Sequence, residues 1–422
     1  MFKKLLQTTA ARAISAFLGL VILATNARYI GSEGVGQAAL FNLWVSIFLN
    51  VGNLFGGSAM VYYAPRYKSS ELLTGSYAWT LLTVLLTAVV SSHFSKLLPG
   101  LPYLLIVVFF YSTGWAHQYV LAGRDKMSLH NAASLSVNTI LLGVLILRYM
   151  YREPMVEHYF IALCFGSGAQ WFLSLLFLLP ILKKEGFAFR INADIVKRLF
   201  KDGFHIQLGN LVQQFNYRFT YFFLNAWWGA GAVGIFSAVV QLGEGIWLLA
   251  KSASLVVYAR VSQANKDPNA DIITFVTARW VALLSALAML LLAVIPDSVY
   301  NWFLGKDFSG LGQWLLAMTP AVSILAGGMI YSHYISGRGF FFKNFAISLI
   351  AFLPILLLGN FLIARFGLYG AVVVNFVSYS ITALGSLIVL LRMVHPDSKA
   401  YIWRFKPDFR VLGEYLKLLR RQ

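Results

Sequence analysis

Long apolar runs separated by short polar segments dominate the chain. A helix needs about 20 largely apolar residues to cross a bilayer. Runs of this kind cover residues 9–31, 38–63, 72–95, 101–123, 128–150, 157–182, 202–226, 231–258, 272–296, 311–337, 341–364 and 368–393. We therefore predict an all-α polytopic membrane protein with twelve transmembrane helices.

The composition supports a membrane protein rather than a soluble one. A chain of 422 residues usually suggests two or three soluble domains, but 59% of these residues are hydrophobic and only 12% are charged. The first run is longer than the core of a signal peptide and further runs follow it, so we expect it to be retained. The single cysteine, Cys164, excludes a disulfide framework and a thiolate metal site.

The formal net charge of +18 indicates the orientation of the helices. If the amino terminus is cytoplasmic, most lysine and arginine residues lie in the cytoplasmic connections and in the carboxyl-terminal tail. The positive-inside rule then places both termini in the cytoplasm. Anionic membrane lipids would attract this charge, so nucleic-acid binding is not implied.

Short corner sequences recur along the chain. VLAGRD at 120–125 resembles YISGRG at 334–339, RYIGSEGVGQAALF at 28–41 resembles WWGAGAVGIFSAVV at 227–240, and YYAPRY at 62–67 resembles VYARVS at 257–262. These matches pair the first helices of the chain with helices that begin after residue 202, which indicates a duplicated six-helix unit. Because six is even, the two copies run parallel, as in two-lobe transporters.

This repeat predicts the domain boundaries. We expect an N-terminal six-helix lobe at 1–182, a cytoplasmic basic connection at 183–201, a C-terminal six-helix lobe at 202–393 and a cytoplasmic basic amphipathic tail at 394–422. The recurring glycines Gly31, Gly123, Gly229 and Gly337 have a structural explanation: glycine permits a left-handed backbone and lets helices approach closely.

Few charged side chains lie within the apolar runs. Each costs at least about 2.5–3.5 kcal/mol at the centre of a membrane, so such residues often face a cavity or a partner. They are Arg12, Arg218, Glu244, Lys251 and Arg279. Arg12 and Lys251, like Arg28, are near enough to a surface to extend their charges to water. Glu244 could instead neutralise Lys251 or an arginine of a neighbouring helix.

Uncharged polar residues form stripes on two of the predicted helices. The seventh run carries Gln207, Asn210, Gln214, Tyr217, Arg218, Tyr221 and Asn225, and the second carries Asn42, Ser46, Asn50 and Asn53. Spacing by three or four places each set on one helix face. These faces predict a hydrated cleft between the lobes, although the asparagines could simply connect helices.

Arginine, lysine and amide side chains suit a ligand with phosphate and hydroxyl groups, because guanidinium pairs bidentately with phosphate. An organic cation would need a carboxylate, and the first six runs contain no aspartate or glutamate in their apolar parts. The candidate substrate-binding residues are Arg12, Arg28, Asn50, Asn53, Gln207, Asn210, Gln214, Arg218, Glu244, Lys251 and Arg279.

Catalytic motifs are absent from the sequence. The histidines show no metal-ligand spacing, and the chain has neither a Walker A motif nor a Gly-x-Ser-x-Gly elbow. We therefore expect no enzymatic activity, no cofactor and no metal site. Energy for transport would come from ion, potential or substrate gradients.

The corner at 28–41, the sequence YYAPRYK at 62–68 and the sequence RFGLYGAVVVNFVSYS at 365–380 carry a family resemblance. Together with the twelve-helix pattern, they resemble the Wzx-type polysaccharide flippases of the MOP exporter superfamily, which also contains lipid II flippases and MATE exporters. The resemblance extends over nearly the whole chain.

The resemblance implies two lobes around a cationic cavity and a flippase function. The expected substrate is an undecaprenyl-pyrophosphate-linked oligosaccharide that moves from the cytoplasmic to the periplasmic leaflet for O-antigen, capsule or exopolysaccharide synthesis. By position, Arg12, Arg28, Arg218 and Arg279 would meet the pyrophosphate. A polysaccharide polymerase and chain-length machinery are the implied protein partners.

Two other functions stay open at this point. One is a MATE-type exporter of small molecules or drugs, coupled to sodium ions or protons through Glu244. The other is a membrane enzyme such as a polysaccharide polymerase, but such enzymes usually have a large outer loop, and the outer connections predicted here are short.

Overall fold

The protein is helical throughout the part of the chain that is described in a computed structural model, residues 2–93, 100–186, 192–263 and 268–402. Its helices are α1 (Phe2–Gly52), α2 (Gly57–Tyr63), α3 (Ser69–His93), α4 (Leu101–Gly123), α5 (Met127–Tyr151), α6 (Val156–Glu185), α7 (Ala193–Arg218), α8 (Thr220–Gln263), α9 (Pro268–Ala293), α10 (Asp297–Leu304), α11 (Leu311–Gly337), α12 (Phe341–Phe366) and α13 (Leu368–Leu391). Short 3₁₀ turns occupy Asn53–Phe55, Lys306–Phe308 and Pro396–Ile402. The predicted all-α fold is confirmed.

Ten helical runs among the described residues are long and apolar enough to cross a membrane. Two of them, Gln7–Tyr63 with 57 residues and Ala193–Ser262 with 70, are each long enough for two crossings. A kink divides each of these long runs, at Gly31 in α1 and at Gly229 in α8. With both divisions, the helices account for the twelve predicted crossings and indicate a multi-pass membrane protein.

The two kinks have the same backbone conformation. Gly31 has φ 65° and ψ −172°, and Gly229 has φ 77° and ψ 175°. This region of backbone space is essentially restricted to glycine. At Gly31 the carboxylate of Asp307 also lies close by and accepts a hydrogen bond from the Ser32 backbone N–H at 2.9 Å. The recurring glycines of the two corner sequences therefore let the chain change direction between adjacent crossings.

Contacts between residues divide the protein into two compact units. The N-terminal unit contains Lys3–Gln214 and Phe303–Asp307, and the C-terminal unit contains Phe215–Trp302 and the described residues from Phe308 onwards. The division after Gln214 falls inside α7. The lobe boundaries predicted from the sequence, 1–182 and 202–393, stay predictions.

Two predicted polar segments are partly outside the described residues. Of the basic connection at 183–201, residues 187–191 are not described, and the part from Ala193 onwards is the start of α7. Of the tail at 394–422, residues 403–422 are not described, and Pro396–Ile402 forms a 3₁₀ turn beside α9.

One helix lies at the centre of each unit. In the N-terminal unit, α4 packs against α2, α3, α5 and α6, and its Leu104, Val107 and Val120 are fully buried. In the C-terminal unit, α11 packs against α8, α9, α12 and α13, and its Leu315, Ala326 and Ile330 are fully buried. Each central helix ends in one of the two Gly-Arg corners.

The glycines of these corners allow close packing rather than a left-handed turn. A Cβ atom at Gly123 would lie 2.6 Å from the Val61 carbonyl oxygen, and one at Gly337 would lie 3.2 Å from the Tyr258 carbonyl oxygen. The positive φ values occur two residues later, at Asp125 (62°) and Gly339 (84°). Of the two roles that glycine can play, Gly123 and Gly337 therefore serve close packing, and the residue after each arginine makes the left-handed turn.

The arginines of the two corners bind carboxylates within their own units. Arg124 forms a salt bridge with Glu185 at the end of α6, and Glu185 also accepts a hydrogen bond from the Ser69 backbone N–H at 2.7 Å. Arg338 lies 3.9 Å from Asp271 near the start of α9. Each corner thus holds a carboxylate beside the end of the central helix.

The kink at Gly229 provides a test of this backbone analysis. Gly229→Ala should lower the free energy of unfolding by about 1–3 kcal/mol, because alanine is strained at this φ and ψ. No atom lies within 4 Å of the added Cβ, so steric contact would not contribute. Chemical denaturation in mixed micelles measures the change.

Gly245→Ala in the same helix is the matched control. Its added Cβ also meets nothing within 4 Å, and its backbone has no positive φ. Alanine is favoured over glycine in a regular helix, so this variant should lose no stability. Equal losses in the two variants would contradict the assignment of strain to Gly229.

Candidate functional site in the C-terminal unit

An ion pair between Arg218 and Glu244 lies in the interior of the C-terminal unit. Nη2 of Arg218 donates to both carboxylate oxygens of Glu244, at 3.0 Å to Oε1 and 2.9 Å to Oε2. The side chains retain 25% and 24% of their accessible surface. The pair is therefore mostly buried but still reachable.

Both charges lie within the helical run Ala193–Ser262, which is long and apolar enough for two crossings. Arg218 precedes the kink at Gly229 by about 16 Å and Glu244 follows it by about 22 Å, at 1.5 Å of helix rise per residue. An unpaired charge inside a membrane crossing is costly, so each of these charges needs a partner.

Aromatic side chains surround the pair. The rings of Tyr217, Trp247 and Tyr379 contact one another, with centroids 5.4 Å apart for Tyr217 and Trp247 and 5.8 Å apart for the other two pairs. Tyr221 and Tyr379 lie within electrostatic range of both charges and are almost fully buried. Trp247 Nε1 donates to the Val322 carbonyl oxygen at 3.0 Å, which fixes this wall against α11.

Several polar atoms at this site have no hydrogen-bond partner. They are Nε of Arg218, the hydroxyl of Tyr379 and both side-chain atoms of Asn375, one turn before Tyr379 in α13. Asn375 is fully buried. Buried polar groups are normally hydrogen-bonded, so these atoms mark a place where water or a ligand can supply the missing partners.

A second group of predicted residues meets in the N-terminal unit. Gln207 of α7 donates from Nε2 to the Asn53 carbonyl oxygen at 3.1 Å, and its Oε1 accepts from Nδ2 of Asn210 at 3.1 Å. Asn53 is buried, and its Nδ2 donates to the Leu49 carbonyl oxygen. This group connects α7 to the end of α1 through the side chain of Gln207, whereas the side chains of Asn53 and Asn210 bond to residues one turn earlier in the chain.

The remaining predicted residues do not join either group. Arg12, Arg28 and Lys251 are exposed, and Gln214 is half-buried. Asn50 donates to the Ser46 carbonyl oxygen of its own helix at 2.8 Å. Arg279 donates from Nη2 to the carbonyl oxygen of Tyr401, so its guanidinium holds the start of the carboxyl-terminal segment.

The sequence analysis missed Asn375, Tyr379 and Trp247 as residues of the site. A signal was present in α13, where Asn375, Ser378 and Tyr379 occupy one helix face at a spacing of three and four. The sequence analysis considered charges and amide stripes and left this face aside. Among the described residues, no group of three or more histidine, cysteine, aspartate or glutamate side chains could hold a metal ion.

Comparison with solved structures identifies the fold. A structure of the lipid II flippase MurJ in an inward closed conformation superposes with a TM-score of 0.72 at 16% sequence identity, covering 97% of this chain and 92% of that one. A multidrug resistance MATE family transporter of the MOP superfamily, inward-facing, gives 0.67 at 16% identity, covering 92% and 98%. A mutant of the Vibrio cholerae MATE transporter VcmN gives 0.62 at 12% identity, covering 93% and 96%.

These similarities confirm the MOP/MATE-like fold expected from the sequence. No family model matches the chain, and no curated protein matches it.

A double-mutant cycle tests the ion pair. Glu244→Gln should lower the free energy of unfolding by about 1–3 kcal/mol, because hydrogen bonds to a charged group are lost and Arg218 keeps an uncompensated charge. Arg218→Gln should have a similar effect. Denaturation in mixed micelles measures each value.

The double variant, Arg218→Gln with Glu244→Gln, should lose less free energy of unfolding than the two single variants lose together. The difference should be at least about 0.5 kcal/mol. A matched cycle on Arg152 and Glu153, which are both exposed, should be additive. Additive losses at Arg218 and Glu244 would contradict an energetic coupling between them.

Proposed function

We propose that the protein is a flippase for lipid-linked oligosaccharides. It would move undecaprenyl-pyrophosphate-linked repeat units from the cytoplasmic to the periplasmic leaflet of the inner membrane by alternating access, for O-antigen, capsule or exopolysaccharide synthesis. The fold it shares with a lipid II flippase supports this proposal.

The observation that carries the proposal is the arginine at the centre of the C-terminal unit. Glu244 occupies only Nη2 of Arg218 among the contacts described, while the buried Nε has no partner. A guanidinium presents five N–H donors in a planar fork that fits phosphate oxygens. Arg218 can therefore keep its hydrogen bonds to Glu244 and still donate a hydrogen bond from Nε to a phosphate oxygen.

The surroundings of Arg218 suit the sugar end of such a substrate as well. The amide of Asn375 and the hydroxyl of Tyr379 have no partners and can bond to sugar hydroxyls. Faces of Tyr217 and Trp247 offer apolar surface beside them. In this mechanism, phosphate binds the unpartnered Nε of Arg218 while Glu244 keeps its two hydrogen bonds to Nη2.

A MATE-type exporter is the second candidate, favoured by the MATE transporters among the similar structures. In that function Glu244 would bind a proton or a sodium ion during transport. Against this candidate, the carboxylate already has a strong partner in Arg218, so a cation must displace a guanidinium held by two hydrogen bonds.

Arg218→Ala in a strain that depends on this protein for its surface polysaccharide tests the flippase. A hydrogen bond to a charged group contributes about 1.5–3 kcal/mol. Its loss should therefore lower the affinity for the substrate by roughly 10–150-fold. We expect surface polysaccharide to fall accordingly while lipid-linked repeat units accumulate inside. Arg218→Lys should retain part of the activity, because lysine keeps the charge but lacks the fork.

Arg152→Ala is the matched control, since Arg152 is exposed after the end of α5. It should leave surface polysaccharide unchanged, and membrane fractions should contain equal amounts of all variants. Full activity of Arg218→Ala at equal abundance would contradict the proposed site. Dye efflux driven by a proton or sodium gradient and abolished by Glu244→Gln would favour the exporter instead.

A further inference from the structure

A histidine is fully buried inside the N-terminal unit. His117 lies in the central helix α4 with no accessible surface. Its Nδ1 lies 3.0 Å from Oγ of Ser174 in α6, and its Nε2 is hydrogen-bonded to the hydroxyl of Tyr77 in α3. The ring thus connects the central helix to two neighbours, and the proposed flippase mechanism makes no use of it.

The hydrogen bonds of this ring suit both of its protonation states. Ser174 donates its hydroxyl hydrogen to the Trp171 carbonyl oxygen at 3.0 Å, so a lone pair of Oγ faces Nδ1 and accepts from it. Neutral Nε2 then accepts from the hydroxyl of Tyr77. A hydroxyl can donate or accept, so Tyr77 can reverse its bond when Nε2 gains a proton.

Unpartnered polar atoms lie on the same two helices, α4 and α6. Both side-chain atoms of Gln170, Nε2 of Gln118 and Oγ of Ser112 have no hydrogen-bond partner, and their residues are 1%, 4% and 1% exposed. Gln170 precedes Ser174 by one turn, and a Cβ at Gly114 would lie 3.5 Å from its Nε2. Gly114 in turn precedes His117 by one turn, so the orphaned amide lies beside the histidine.

The C-terminal unit shows how this position is occupied without a histidine. Gly114 packs on Trp171, and Gly328 packs on Ala383 in the same way. In the N-terminal unit, His117 and Ser174 each lie three residues after one of these contact residues. In the C-terminal unit, Tyr331 and Ser386 occupy the corresponding positions. Tyr331 contacts Phe275, as His117 contacts Tyr77. Packing at this position is therefore compatible with tyrosine, and the histidine adds a group that can titrate.

Several other titratable groups on the elements packed against α4 are bonded to residues other than His117. Tyr63 of α2 donates to Asp202, His130 of α5 is bonded to the Gln118 carbonyl oxygen, and Cys164 of α6 donates to the Tyr103 carbonyl oxygen. Glu157 accepts from Tyr103, and Glu185 pairs with Arg124. The titratable group bonded directly to His117 is Tyr77.

We propose that His117, with Tyr77, Ser174 and the orphaned amide of Gln170, forms a proton-binding site inside the N-terminal unit. Uptake of a proton at Nε2 forms an N–H bond and reverses the hydrogen bond to Tyr77, whose hydroxyl hydrogen must then find another acceptor. Water that reaches the unpartnered amides supplies both the proton and that acceptor. The site changes the contact between α3 and α4 each time it titrates.

A role of this site in energising transport rests on the proposed flippase function. A proton gradient would then cause His117 to gain a proton on one side of the membrane and lose it on the other during each transport cycle. The binding of the proton itself does not depend on the identity of the substrate, so it can be measured separately.

Tryptophan fluorescence can report the proton directly, because the rings of Trp171 and His117 are 6.5 Å apart. The full chain in lipid nanodiscs is titrated from about pH 8 to below about pH 4, because burial disfavours the charged form of a histidine and moves its titration to lower pH. Protonated histidine quenches a neighbouring indole, so we expect emission to fall as the pH is lowered. This pH-dependent part should disappear in both His117→Gln and Trp171→Phe.

Two further variants sharpen the assignment. Ser174→Ala removes the acceptor from Nδ1 and should shift the midpoint to lower pH. His333→Gln is the matched control, because His333 is half-buried in the C-terminal unit and bonds to the Met329 carbonyl oxygen of its own helix. It should leave the signal unchanged. A titration that is the same in the parent and in Trp171→Phe would overturn the proposal, even if His117→Gln failed to fold.

Transport provides the second readout. When the proton gradient is collapsed, surface polysaccharide should fall several-fold in the parent strain, and His117→Gln should show the low level with or without the gradient. If fluorescence shows the proton but transport ignores the gradient, the coupling role is wrong and the binding site stands. If Arg218→Ala leaves transport intact, the proposed flippase site fails while the fluorescence result is unaffected.

Discussion

Every polar group inside the hydrocarbon of a membrane must find its partner within the protein, and this constraint organises the helices described here. Many hydroxyl groups satisfy it locally by donating to the carbonyl oxygen one turn earlier, as Ser46 does to Asn42, Thr83 to Trp79 and Ser254 to Ala250. Such a local bond by itself carries no information about a site. Polar groups that reach across helices, or that have no partner at all, are the informative ones.

The two units satisfy the same constraint with different residues. Both kinks depend on glycine, because the required φ and ψ exclude other residues. The Gly-Arg corners differ in the source of their carboxylate. Glu185 comes from the end of α6, where it also binds the start of α3, whereas Asp271 comes from α9 and accepts the backbone N–H of His395 beyond α13 at 3.0 Å. The carboxylate thus comes from the end of a helix in the N-terminal unit and from the start of a helix in the C-terminal unit.

Much of the fold could be predicted from the sequence, because crossings and kinks depend on local properties. Apolar run length indicated the helices, and the paired glycines Gly31 and Gly229 marked the two places where long helices change direction. The ends of the Gly-Arg corners were less predictable. Glycine has two uses, and only the structure shows that Gly123 serves close packing while Asp125 makes the turn.

The candidate site was only partly predictable, since its contacts depend on the packing of separate helices. Arg218 and Glu244 were identified individually as charges in apolar runs, but their pairing depends on the rotation of α7 relative to α8. Arg279 resembled them in sequence and instead binds the carbonyl oxygen of Tyr401. Asn375 was overlooked because its face of α13 carries no charged residue and no second amide.

The pairing of Arg218 with Glu244 changes how each charge can be used. A lone arginine at this depth would attract any anion, and a lone glutamate any cation, at a high cost in the empty protein. Because the two neutralise each other, the resting site carries no net charge and tolerates its apolar surroundings. A phosphate can add hydrogen bonds at the unpartnered Nε without breaking the ion pair, whereas a cation must separate the carboxylate from both of its hydrogen bonds. The geometry of the pair therefore fits an anionic ligand better than a cationic one, as the proposed function requires.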